Sequence, residues 1–280
     1  ITITGSWANN GTFTAASGTV TFSSTTAAQV IAGTLSGATG KFYNLIFTTT
    51  DATAADDWEI QAALEAANDF TLSAGNIDSN SNAVTVTQDF TITNAANRDY
   101  DAGTATLTVG RHLADSGNKF TDVASAELKM TGTGNLNSAG DLAKLTVSGT
   151  VTKTSSNNML VTNNFDIQLG GNLSTGTTCG AIRHTGGSGT NLTIAGTLSG
   201  SCAFWQVSAT EPTISITGTV SFATTAIEFI FQYSSVGTYT IPAFTTNGYL
   251  TLFPVTNDVT YTIGAGTMSA GGYLFKHNTA

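Results

Sequence analysis

The chain has 280 residues, of which 40% are apolar and only 10% charged, so it can build a core and lacks the charge excess of a disordered polymer. A formal charge of −9 argues against a phosphate-binding surface, which needs clustered Lys and Arg, and nucleic acid is not expected as a partner. No apolar run approaches the ~20 residues of a membrane helix, so the chain is not expected to span a bilayer.

The chain opens on ITITGSW, Ile1 to Trp7, in which Ile1, Ile3, Gly5 and Trp7 repeat the spacing of Ile214, Ile216, Gly218 and Val220. These residues are not a signal peptide, and the sequence reads as a processed product or an excerpt that starts inside a repeat. The phrase WANNGTFTAASGTVTF follows (Trp7 to Phe22), then QVIAGTL (Gln29 to Leu35) and KFYNLIF (Lys41 to Phe47). Over this first fifth the chain resembles repeats of large secreted, adhesin-like surface proteins of bacteria. The resemblance implies a parallel β-helix and an exported, non-enzymatic surface protein.

In residues 51 to 67, DATAADDWEIQAALEAA, good helix formers compete with the alternation of Trp58, Ile60, Ala62, Leu64 and Ala66. The next stretch, NDFTLSAGNI from Asn68, matches QDFTITNA from Gln88 and NNFDIQLGGNL from Asn163, which decides for strand. Apolar pairs then recur at Val84 and Val86, Leu107 and Val109, and Leu128 and Met130.

The regular part is one phrase written four times: KLTVSGTV from Lys144, DIQLGGNL from Asp166, NLTIAGTL from Asn191 and TISITGTV from Thr213. Read in line, Leu145, Val147 and Val151 correspond to Ile167, Leu169 and Leu173, to Leu192, Ile194 and Leu198, and to Ile214, Ile216 and Val220. The alternation is that of a strand, and Gly149, Gly171, Gly196 and Gly218 mark one corner. The ladder is expected to run on through Tyr239 and Tyr261. Pro212, Pro242 and Pro254 should distort these last rungs, because proline cannot donate to a ladder.

Strands recurring at this period without intervening helices predict an all-β fold, a single right-handed parallel β-helix (β-solenoid) of about 12 rungs of 22–25 residues. Residues 1–280 are read as one domain, with irregular rungs over 51–141 and regular rungs over 142–280.

Chemistry is sparse. Cys179 and Cys202 follow the same corner one rung apart, and ladder spacing of ~4.8 Å suits a disulfide. That pairing fits an extracytoplasmic setting. His112, His184 and His277 stand apart and read as ordinary surface or loop histidines. Asp56 with Asp57, or Asp99 with Asp101, form the carboxylate pairs a glycosidase would need, but the only arginines to stand beside them are Arg98, Arg111 and Arg183. Asn97, Asp99, Asp101 and Gly103 space oxygen atoms as calcium loops do; the glycine comes one residue late and no closing Glu follows, so a solvated turn is expected. Asn10, Asn172 and Asn191 lie in N-x-S/T triplets. Thr-x-Thr pairs wander between TVTF, TVTQ, TVTK and TYTI, which argues against one aligned threonine face.

No catalytic, cofactor or metal site is expected, and the chain is not read as an enzyme. The function read from the sequence is an extracellular structural or adhesive protein at the cell surface. It is expected to be a filament subunit that self-associates, since neither ITITGSW nor GGYLFKHNTA resembles a cap. The alternative is a carbohydrate-binding or polysaccharide-cleaving β-helix, including a phage-spike-like module.

Overall fold

The computed structural model describes residues 1–280 except 25, 27, 50–56, 94–97, 116, 118–119, 122–124, 139, 178–179, 225, 257–258 and 276–280. The chain divides into two compact units, Ile1–Gly140 and Asp141–Ala280. Each is a parallel β-solenoid in which every coil contributes strands to different faces. No α-helix occurs among the described residues, and no helix there is long and apolar enough to cross a membrane.

In the first unit, a phenylalanine face runs through Thr19–Ser24, Asn44–Thr49, Phe70–Leu72, Phe90–Ile92, Leu113–Asp115 and Thr133–Ser138. An aliphatic face stacks Leu64–Ala66, Val84–Val86, Thr106–Val109 and Glu127–Met130. A third, acidic face includes Trp58–Ile60, Gly75–Asp78 and Arg98–Asp101. Thr, Val, Ile and Phe dominate because alternating side chains suit a pleated, half-buried surface. Parallel register places like on like: Val84, Leu107 and Leu128 form one column, and Val86, Val109 and Met130 the next. The rings of Phe22, Phe47, Phe70 and Phe90 stack with centroids 4.8 to 5.2 Å apart, each pair adding ~0.5–1.5 kcal/mol beyond its burial. The stretch Trp58 to Ala66 is strand, as its alternation predicts, but it splits at a corner into Trp58–Ile60 and Leu64–Ala66 on different faces.

In the second unit, a hydroxyl face stacks Thr150–Lys153, Asn172–Thr175, Thr197–Gly200 and Thr219–Phe222. An interrupted face stacks Lys144–Val147, Phe165–Ile167, Asn191–Ile194 and Thr213–Ile216. An aromatic face includes Met159–Val161, Ile182–His184, Phe204–Ser208, Glu228–Tyr233 and Tyr249–Pro254. The corner glycines are there for space: a Cβ on Gly196 would lie 2.1 Å from the Gly171 carbonyl oxygen, and one on Gly218 1.9 Å from that of Gly196.

Three expectations of register need correction. On the interrupted face Leu145 pairs with Phe165 and Val147 with Ile167, so the phrase DIQLGGNL is shifted by two residues. The corner after Ile167 holds those two extra residues, and Leu169 stands 88% exposed instead of entering the core. Phe165 is accordingly a member of the interrupted face, while Phe70 and Phe90 pair with each other on the phenylalanine face, so the match between their flanking sequences is not a structural equivalence. Finally, the ladder does not pass from Thr213–Ile216 to Tyr239. Gly237–Ile241 and Val259–Ile263 pair with each other as a separate two-stranded sheet.

Candidate contact surface

Alternation on the hydroxyl face turns every second side chain outward, and parallel register stacks these into two columns. One is Thr150, Asn172, Thr197 and Thr219; the other is Thr152, Ser174, Ser199 and Ser221. The Thr-x-Thr pairs stay on different faces, TVTQ on the aliphatic face and TYTI in the separate two-stranded sheet, while on this face Asn and Ser continue the columns that TVTK begins. The array carries hydroxyl and amide groups that both donate and accept hydrogen bonds, and no charge. Beside it, a shallow depression of about 380 Å³ is lined by residues including Thr150, Leu169, Asn172, Thr197 and Thr219.

The first unit presents a different surface. On its acidic face Glu59 pairs with Asp78, and Asp78 with Asp101. Each carboxylate accepts a local hydrogen bond: from Gln61 Nε2 at 3.0 Å, from the Asn80 amide at 2.6 Å and from the Gly103 amide at 2.7 Å. Asp99 and Asp101 belong to the strand Arg98–Asp101, not to the turn expected there, because this segment pairs with Gly75–Asp78. Asn97 lies outside the described residues, as does Asp56. Asp57 is fully buried, and its Oδ2 accepts from the Asn76 amide at 2.8 Å. Among the described residues no group of three His, Cys, Asp or Glu side chains could hold a metal ion.

Nearby, Arg111 Nε donates to Asp89 Oδ1 at 2.6 Å and its Nη2 donates to Oδ2. This contact holds the Asp89 carboxyl below its usual range, helped by the His112 amide. His112 is half-buried, and its Nδ1 accepts from the Asn135 amide at 2.9 Å. The Arg111 and Asp89 pair lies at the surface, where water and salt screen it.

The polar groups inside the second unit are more unusual. His184 is not a surface or loop residue: it is completely buried on the aromatic face, stacked on Gln206 in the ladder. Its Nε2 faces the Asn163 carbonyl and its Nδ1 faces Gln206 Oε1, while Gln206 Nε2 donates to the Gly186 carbonyl at 3.2 Å. Burial holds the imidazole below its ordinary pKa, against the pull of those two acceptors. Lys153 is also fully buried. Its ammonium donates to the carbonyls of Ser155, Asn157 and Gly180 at 2.9, 2.8 and 3.2 Å, and burial lowers its pKa to about 8. Sequence reasoning passed over this lysine, although the alternation of TVTK puts Lys153 on the same side as the inward Val151.

Of the remaining residues singled out by sequence, Cys202 is half-buried beside the Thr175 hydroxyl, which accepts from its amide at 3.0 Å. Cys179, the partner expected for it, lies outside the described residues, as does His277. Asn172 and Asn191 are on strands and Asn10 in an exposed turn. Comparison with protein-family models, curated proteins and solved structures finds no match to this chain.

Proposed function

We propose that this chain is a non-enzymatic structural or adhesive protein of the cell exterior, a solenoid that works as a fibre subunit through contact between copies. The observation that carries this reading is the hydroxyl face: two columns of small neutral side chains repeated over four coils. Such a surface offers the same hydrogen-bonding groups at every coil, which suits repetitive contact better than chemistry at one point. Low charge favours it too, because residues 167 to 280 hold only Glu211, Glu228 and Asp258 as acids and place little repulsion between approaching copies. A Cys179 to Cys202 disulfide belongs to the same proposal.

Light scattering and electron microscopy of the 28.7 kDa chain at high concentration test the reading. Fibres are expected, and Ser174→Lys with Ser199→Lys should suppress them by charging the array. A monodisperse monomer with no fibres would overturn the proposal.

One observation favours a second reading, contact with glycans. Trp205 is half-buried on the outer side of the aromatic face, with the Arg183 guanidinium 5.4 Å from its ring centre. An aromatic plane flanked by a cation can stack on a sugar ring and donate to its hydroxyls. Binding to a glycan array that is lost in Trp205→Ala, without fibres, would select this alternative.

A further inference from the structure

The interrupted face stops with its edge open. Thr213 donates to the Thr190 carbonyl and Thr217 to the Ile194 carbonyl, so the odd-numbered residues serve the ladder with Asn191–Ile194. In a parallel strand the main-chain groups of alternate residues point to opposite sides. The amides and carbonyls of Ile214 and Ile216 therefore point away from that ladder, on the side where no strand among the described residues pairs. On the far side of the gap, Gly264 donates to the Ile241 carbonyl at 2.8 Å. By the same alternation, Thr238 and Thr240 turn their main-chain groups back towards the gap. Two parallel edges thus face one cleft, of about 470 Å³, lined on one side by Ile214–Thr217 and on the other by Thr240, Pro242 and Ala243, with Gly264 and Ala265 behind them.

Two details say what the cleft takes. In the inward column Leu145, Phe165, Leu192 and Ile214, the first three are wholly buried, but Ile214 is only half-buried, so it lacks the apolar cover that the next strand would supply. And Glu211, at the entry to the strand, fills one place of the missing ladder: its Oε1 accepts from the Thr240 amide at 2.7 Å.

We propose that this cleft is a docking groove for an extended peptide strand that runs parallel to both edges, sets an apolar side chain over Ile214 and carries a basic group at the end that meets Glu211. Insertion completes the interrupted face, with the strand taking over the Thr240 amide and releasing the Glu211 carboxylate to pair with the incoming cation. Main-chain hydrogen bonds supply affinity, and the Ile214 and Glu211 contacts supply selectivity, as in other cases of strand addition to a sheet edge. The proposal is independent of fibre formation.

The probe is an acetylated peptide of the chain's own rung sequence, Thr213 to Thr219, preceded by a lysine. It is titrated into the full chain at a dilution where light scattering shows monomer. Saturable binding by calorimetry is expected, together with slowed amide exchange at Ile214, Ile216, Thr238 and Thr240. Methylating alternate peptide nitrogens should weaken binding at least about tenfold. Glu211→Gln should weaken the lysine-led peptide severalfold while leaving a serine-led version unchanged. Thr238→Pro, which removes an amide not used by the ladder with Val259–Ile263, should keep the thermal unfolding profile and lose the peptide. No binding, equal binding of the methylated peptide, or protection of the same amides on concentrating the chain without peptide would each overturn the proposal, the last by making a second copy the occupant.

Discussion

In the first unit, Val20, Leu45, Phe70, Phe90, Leu113 and Leu136 share one inward column with no polar member. In the second, the column Val161, His184, Gln206 and Phe231 sets an imidazole on an amide between apolar neighbours. Both columns are equally dry, since His184 and Gln206 are as buried as Phe70 and Phe90. The difference lies in what fixes the contents. An apolar column needs only volume and shape, whereas a polar one needs partners in particular directions, because a buried group without a partner costs ~1–3 kcal/mol. Backbone carbonyls of Asn163 and Gly186 meet that need for the His184 and Gln206 pair, and those of Ser155, Asn157 and Gly180 meet it for Lys153. A solenoid coil accepts polar groups in its interior where its corners turn carbonyls inward.

Substitutions break this comparison at different strengths. The largest effect is expected from Phe70→Ala, which removes a fully buried ring stacked on both Phe47 and Phe90; chemical denaturation should show a loss of about 3–5 kcal/mol. Lys153 comes next and gives a pH signature. Its folded pKa is about 8 against an ordinary 10.5, so between these values the unfolded chain binds the proton more tightly and stability rises with pH. The slope approaches ~1.4 kcal/mol per unit. Tyr100 and Tyr233, whose burial raises their pKa above the usual 10.0, reverse the trend at higher pH. Melting curves from pH 8 to 10 should therefore climb in the wild type and stay flat in Lys153→Met.

His184 gives the opposite limb and a smaller effect. Its folded pKa lies below the ordinary 6.5, so as pH falls through that value the unfolded chain takes up a proton that the folded chain resists, and stability drops. His184→Gln should flatten the melting temperature between pH 7 and pH 5; an unchanged acid slope would show that the imidazole takes up its proton equally in the folded and unfolded chain, and a steeper one that it is already charged between its two acceptors. Smallest of all is Leu169→Ser, expected within ~0.5 kcal/mol of wild type because the side chain is 88% exposed. A loss of several kcal/mol there would restore Leu169 to the core and undo the shifted register.

The solenoid itself was legible in the alternation of Val84 and Val86, Leu107 and Val109, and Leu128 and Met130, since period-2 runs without caps or helical spacing leave few other folds. Register was harder to read. The phrase DIQLGGNL has the pattern of NLTIAGTL, and only the cover over Leu169 distinguishes a strand residue from a corner residue. The break after Ile216 was also hidden, since TYTI repeats the strand pattern faithfully and hydrogen-bond pairing leaves no mark in one strand's own residues. Buried polar groups were partly legible: parity places Lys153 inward, but the carbonyls that receive it come from loops whose course the alternation does not describe. A contact surface was visible only as an excess of Thr, Ser and Asn, because its alignment depends on register across coils.

The two-residue excess between Ile167 and Asn172 has a practical consequence. The strands on either side keep their ladders with the coils above and below, so the corner absorbs added chain without passing strain to the sheets. Chain closure is weakly sensitive to length, each doubling of a loop costing only ~0.6 kcal/mol. The turn at Leu169 and Gly170 is thus a natural graft point: a foreign epitope or a reporter tag inserted there would be displayed outward while the coils beneath it stay folded.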